Sequence, residues 1–129
     1  MRAPARSGAG RGTARAVDIV APAGLGKTRL LSDFARYLGA DGKAVAYARA
    51  LPVDRDLPWT YAVEVVRRVA VLPGAGGAAP ASAATLVALD PSLSNVWSGV
   101  AASHSADEER LLHRLSAIEE LMRAVADAQ

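Results

Sequence analysis

Apolar residues recur at helical spacing most clearly near the carboxyl end of the chain. There a continuous apolar face is formed by Leu111, Leu112, Leu115, Ile118, Leu121, Met122 and Val125. This spacing predicts a long amphipathic helix over Ala106 to Asp127. Ser105 and Glu108 fit a capping box at its start, where acidic residues are favourable.

Three shorter helices are predicted upstream. The first spans Lys27 to Leu38, with Gly39 at the position of a left-handed cap. The second carries the stripe Ala62, Val65, Val66 and Val69, and ends at Leu72–Gly74. Residues 74–80 form a linker or loop tip. The third helix runs from Ala81 to Leu89, with Ser82 as its cap.

Two short apolar runs have the composition of buried parallel strands. They are Ala16 to Val20 and Val45 to Ala48, and the first predicted helix lies between them. Strand, helix and strand in this order predict a right-handed βαβ unit with parallel strands. The run Thr85 to Asp90 is ambiguous, since an apolar strand that ends in an aspartate is the alternative to the third helix.

Glycine, lysine and threonine are concentrated between the first strand and the first helix. Ala21 to Thr28 follows the pattern G-x-x-x-x-G-K-[ST], with alanine at its first position. Gly24 and Gly26 let the backbone curl around phosphate groups, and Lys27 reaches the β- and γ-phosphates. The Thr28 hydroxyl is predicted to ligate Mg²⁺. The full predicted nucleotide site is Ala23, Gly24, Leu25, Gly26, Lys27, Thr28 and Arg29.

The remaining polar and aromatic candidates carry weaker signals. Hydrolysis needs an acid behind the phosphate loop, and Asp90 is the one candidate for that catalytic role. Arg49 is interpreted as a surface arginine, with a nucleotide-facing arginine finger as the alternative. Trp59 and Trp97 are interpreted as core or loop anchors rather than base-stacking platforms. Two further residues, His104 and His113, are too far apart for paired metal ligands on one helix turn.

Composition bears on the cellular location of the protein. The 129 residues include no cysteine, and no apolar run reaches the ~20 residues of a membrane span. We therefore expect a cytoplasmic location and no membrane partner. Residues 1–15 form a basic lead-in that is predicted to be flexible, with Arg2, Arg6, Arg11 and Arg15 preceding the first acid.

The sequence Asp18 to Leu31 resembles the AAA-like, signal-transduction (STAND) ATPase modules of bacteria, which occur in large transcriptional regulators and beside cyclase or kinase domains. Arg29-Leu30-Leu31 belongs to this likeness, as does Ala48-Arg49-Ala50 leading into the acidic loop of residues 54–58. In that family, a strand with metal-binding aspartates follows the last helix. The resemblance therefore implies an amino-proximal part of the module, which acts with further domains of a larger regulator and with DNA only through a fused or partner domain.

These observations combine into one prediction. Residues 16–129 are expected to form part of an α/β P-loop ATPase domain, a three-layer sandwich with a parallel sheet that stops before the Walker B strand. Its expected function is to bind ATP and Mg²⁺ as a nucleotide-dependent switch in signal transduction or transcription regulation. A P-loop small-molecule or nucleotide kinase is one alternative, and a nucleic-acid-binding module that uses the basic lead-in is another.

Overall fold

The computed structural model describes residues 16–103 and 107–128, and their regular secondary structure is entirely helical. The four α-helices are α1 (Lys27–Ala40), α2 (Thr60–Ala70), α3 (Pro80–Leu89) and α4 (Asp107–Asp127). Short 3₁₀ helices occupy Pro52–Arg55, Ala75–Gly77 and Pro91–Asn95. The chain divides into two compact units, of which the first ends at Lys43 and the second begins at Ala44.

The predicted α/β class is wrong for the described residues. Residues 16–20 and 44–50 are irregular, and no described residue lies in a strand. A β-branched or apolar run makes a strand only when a neighbouring strand supplies its hydrogen-bond partners. The parallel sheet and the three-layer sandwich are therefore replaced by a small all-α fold.

Helix α1 is the main element of the first unit. It begins at Lys27 as predicted and continues through Gly39 to Ala40. Gly42, rather than Gly39, has the left-handed backbone, with φ of 75°. The apolar stripe of α1 is exposed at Leu30, Leu31 and Phe34, and no residue of this helix is buried.

The second unit has a core that three helices share. Leu86 of α3 and Leu121 of α4 are fully buried, and Val66 of α2 lies beside them in the same cluster. Many of the other core residues are alanines, which let the helices approach closely because they carry no long side chain. The core is completed by Val69, Ala70, Ala75, Ala78, Ala83, Val87, Leu93, Trp97, Ala117 and Val125.

The segment predicted as a linker belongs to this core. Ala75 and Ala78 are buried, and the Ala75 carbonyl accepts a hydrogen bond from Trp97 Nε1 at 3.2 Å. Trp97 is thus a core anchor, as its sequence interpretation held. A polar link closes the same region, because Glu120 of α4 accepts from the Ala79 N–H and from the Ser82 hydroxyl. Ala79, and not Ser82, is the capping position of α3.

Helix α4 buries only part of its predicted apolar face. Leu121 and Val125 are in the core, whereas Leu111, Leu112 and Leu115 are exposed. The predicted capping box depends on Ser105, which lies outside the described residues, as do residues 1–15, His104 and the predicted first helical residue, Ala106. The helix is described over Asp107–Asp127, and its end agrees with the prediction.

Candidate functional site

The loop before α1 has two glycines in the left-handed region. Gly24 has φ of 82° and Gly26 has φ of 77°, and residues 23–26 turn and bend directly into the helix. Residues with a side chain rarely adopt this backbone conformation, whereas glycine does so readily. A Cβ built at either position has open space around it. Backbone conformation, rather than crowding, is therefore the reason for glycine here.

Lys27 folds back over this loop. Its Nζ donates to the carbonyl oxygens of Ala21 and Pro22, at 2.5 and 2.8 Å. These bonds hold the ammonium group beside the curled backbone instead of leaving it extended in water. An ammonium has three donors, so a further bond to an anion remains available to Lys27.

Among the described residues, no side chain caps the amino terminus of α1 and no acid lies in its first turn. Gly26 is the capping position and makes no side-chain hydrogen bond. The first N–H groups of a helix carry partial positive charge and lack partners within the helix. Thr28 and Arg29 are exposed in this turn, and Arg29 lies 3.6 Å from Asp33 in an ion pair. The turn therefore offers backbone and side-chain donors to an anion.

The predicted nucleotide residues thus form one continuous segment. Ala23, Gly24, Leu25 and Gly26 make the loop, and the turn of residues 27–29 follows it. The described residues contain no group of three or more His, Cys, Asp or Glu side chains that suits a metal. A Mg²⁺ ion at Thr28 would consequently draw most of its ligands from phosphate oxygens and water, as Mg²⁺ commonly does.

The fold around this segment corrects its classification. In a P-loop ATPase the loop joins a sheet strand to a helix, but residues 16–20 before this loop are irregular. The terms P-loop, Walker A, AAA ATPase and STAND therefore do not describe the structure, and the regulator roles attached to them lose their support. The local loop and its charges are what remains of that prediction.

Asp90 lies at the junction of α3 and the following 3₁₀ helix. The alternative strand over residues 85–90 is wrong, because residues 80–89 are helical. Asp90 is buried, and its carboxylate accepts from Arg67 Nε at 2.5 Å and from the Ser92 N–H and hydroxyl. The bond from Arg67 lowers the pKa of Asp90, against burial, which raises it, and the bonds from Ser92 add to the lowering. Both oxygens are engaged in holding the fold.

A second group of residues borders a cavity near the start of α2. Arg49 and Trp59 are separate candidates in the sequence, and Arg114 of α4 belongs to no sequence motif. Arg114 places its guanidinium 4.9 Å from the centre of the Trp59 ring. Apart from the abundance of arginine, no sequence signal joins residues that are 55 positions apart.

In the described part of the chain, no helix combines the length and the apolar character that a membrane crossing requires. Protein-family models, curated proteins and solved structures give no match to this chain.

Proposed function

We propose that the segment Ala21–Arg29 binds the phosphate groups of a nucleoside triphosphate, with ATP and its Mg²⁺ as the ligand. The observation that carries this proposal is the position of Lys27 over a loop with two left-handed glycines. A triphosphate needs several inward-pointing donors, and a curled backbone at a helix amino terminus supplies them without flexible side chains.

Charge supports the same ligand. The first turn of α1 contains no acid, and the nearest acid along the helix, Asp33, pairs with Arg29 and Arg36. The exposed Thr28 hydroxyl is available as one oxygen ligand for a Mg²⁺ ion that the phosphates carry. We propose a cytoplasmic location for this activity, where ATP and Mg²⁺ are both available.

The proposal is limited to binding. Hydrolysis requires an acid and a group that orients water. Asp90, the candidate from the sequence, has its carboxylate engaged by Arg67 and Ser92.

A titration with a fluorescent ATP analogue in the presence of Mg²⁺ tests the proposal. We expect Lys27→Ala to weaken binding at least tenfold, since it removes the cation over the loop. Lys43→Ala is the matched control, because Lys43 is the other lysine of the chain, is exposed and lies beyond the end of α1. Its affinity should equal that of the wild type.

Two results would refute the proposal. One is the absence of saturable binding to the wild type, and the other is equal binding by the wild type and Lys27→Ala. Repeating the titration with EDTA and with Thr28→Ala tests the role of Mg²⁺. If Mg²⁺ takes part in binding, EDTA should lower the affinity for the ATP analogue, and Thr28→Ala should lower it in the same way.

A further inference from the structure

An open cavity lies beside the start of α2, entirely within the second unit. Its volume is about 710 Å³, which falls in the range of small-molecule clefts, ~300–1,000 Å³. Leu51, Val63 and Leu89 supply apolar wall, whereas Arg49 and Arg114 are among the charged residues that line it. Five of the eleven lining residues are charged, so the cavity suits a ligand that combines a charged group with an apolar one.

The acids of the cavity already have donors. Asp54 accepts from the Leu51 N–H at 2.6 Å, and Glu64 accepts from Arg68 Nε at 2.7 Å. The third arginine of the lining, Arg67, is paired with the buried Asp90. Within the cavity, negative charge is thus committed to bonds inside the fold.

Two arginines have donors to spare. Arg49 is exposed and makes no hydrogen bond or ion pair with a described residue. Arg114 lies over Trp59, with its guanidinium carbon 4.9 Å from the ring centre, and it makes no hydrogen bond or ion pair with a described residue. Its N–H groups are therefore available, and a guanidinium matches the two oxygens of a carboxylate or phosphate.

Trp59 is held in a costly backbone conformation at the same place. Its φ is 70°, and among the described residues no other non-glycine residue has a positive φ. Such a conformation costs an L-residue energy and persists only where the surroundings enforce it, often at functional sites. Here it places the indole of the α2 capping position against Arg114.

We propose that this cavity binds a small molecule that carries an oxyanion next to an apolar group. Arg49 and Arg114 bind the oxyanion, and the wall of Leu51, Val63 and Leu89 contacts the apolar group. The residues of this site all lie in the second unit, and the site does not depend on the function proposed for the segment Ala21–Arg29.

Phenyl phosphate and benzoate are suitable probes, with inorganic phosphate and phenol as their two halves. Binding is followed by tryptophan fluorescence, since Trp59 borders the cavity while Trp97 is 6% exposed in the core. The titrations use the full chain carrying Lys27→Ala, so that binding at the α1 loop does not contribute. We expect saturable binding of phenyl phosphate, at least tenfold tighter than that of phosphate or phenol.

Arg49→Gln and Arg114→Gln should each weaken this binding at least tenfold. Arg49→Gln is the cleaner variant, because removal of an exposed, unbonded arginine leaves the fold intact. Arg123→Gln is the matched control on α4, where Arg123 is exposed and pairs with Glu119, and it should bind as the parent does. Binding of benzoate as well as phenyl phosphate would extend the site to carboxylates.

Three results would overturn the proposal. No saturable binding of phenyl phosphate or benzoate would exclude the site. Equal affinity of the parent and Arg49→Gln would exclude the oxyanion contact. Equal affinity for inorganic phosphate and phenyl phosphate would exclude the contact between the ligand and the apolar wall.

Discussion

Arg67 Nε donates to Asp90 Oδ2 at 2.5 Å and thereby ties the middle of α2 to the end of α3. The arginine is half exposed, whereas the carboxylate is buried. Asp90 is also the capping residue of the next 3₁₀ helix, since it accepts from the Ser92 N–H. The Asp90 carboxylate thus connects α2, the end of α3 and the 3₁₀ helix that follows α3.

Asp90→Asn is expected to destabilise the second unit by about 1–3 kcal/mol at neutral pH, because it leaves a buried hydrogen-bond network incomplete. Chemical denaturation followed by circular dichroism measures this loss. Asp56→Asn is a suitable control, because Asp56 is exposed in the loop before α2 and makes no hydrogen bond or ion pair with a described residue. An equal effect of the two substitutions would contradict the role of Asp90.

The lowered pKa of Asp90 predicts how its contribution depends on pH. A carboxyl whose pKa is lower in the folded state stabilises fully above its unfolded pKa, ~3.9. The stabilisation then disappears as pH falls through the lower folded value. The difference in unfolding free energy between wild type and Asp90→Asn should therefore be constant from pH 7 to 5 and shrink below pH 4. A difference that grows in acid would contradict this assignment.

Gly74→Ala is expected to destabilise the second unit by about 2–4 kcal/mol, combining a backbone clash with a positive φ. The added Cβ would lie 2.6 Å from the Ala124 carbonyl oxygen and would also overlap Ala128 at the end of α4. Gly76→Ala is the matched control, since a Cβ there meets nothing within 4 Å. Thermal unfolding of both variants measures the effect, and similar melting temperatures would refute the close approach of Gly74 to α4.

Trp59→Gly is expected to be more stable than Trp59→Ala by about 1 kcal/mol, although both remove the indole. Alanine keeps the strain of the left-handed backbone at φ of 70°, and glycine relieves it. The difference between the two variants thus measures the effect of backbone strain apart from the loss of the indole. If Trp59→Ala proves the more stable of the two in denaturant titrations, the strained conformation is excluded.

Gly26→Ala is expected to cost about 1–2 kcal/mol in the conformation of the loop, because alanine disfavours φ of 77°. If the segment binds ATP as proposed, Gly26→Ala should also lower the affinity for ATP. Gly39→Ala provides the opposite case, since Gly39 lies within α1 without a positive φ and alanine favours a helix by about 0.5–1 kcal/mol. Helical content and ATP affinity together measure both effects. Equal affinity of Gly26→Ala and wild type would contradict the need for the curled loop.

The elements that could be predicted from sequence are those stabilised by interactions between residues close together in the chain. The start of α1 at Lys27, the third helix up to Leu89 and the end of α4 at Asp127 all agree with the predicted helices. A helix makes its hydrogen bonds four residues apart, so a local pattern carries most of the necessary information. The glycines of the loop before α1 are local in the same sense, because a positive φ concerns one residue.

Tertiary structure decided everything that needs a distant partner. The apolar run at residues 16–20 did not become a strand, since a strand depends on a neighbour that its own pattern does not provide. The carboxylate of Asp90 is held by Arg67, which is 23 positions away on another helix and reaches it only when the two helices pack. Trp59 and Arg114 likewise come into contact only in the folded chain. The sequence by itself determined the helices and the glycine-rich loop, whereas the fold class, the buried aspartate and the arginine-lined cavity arose only when distant segments packed together.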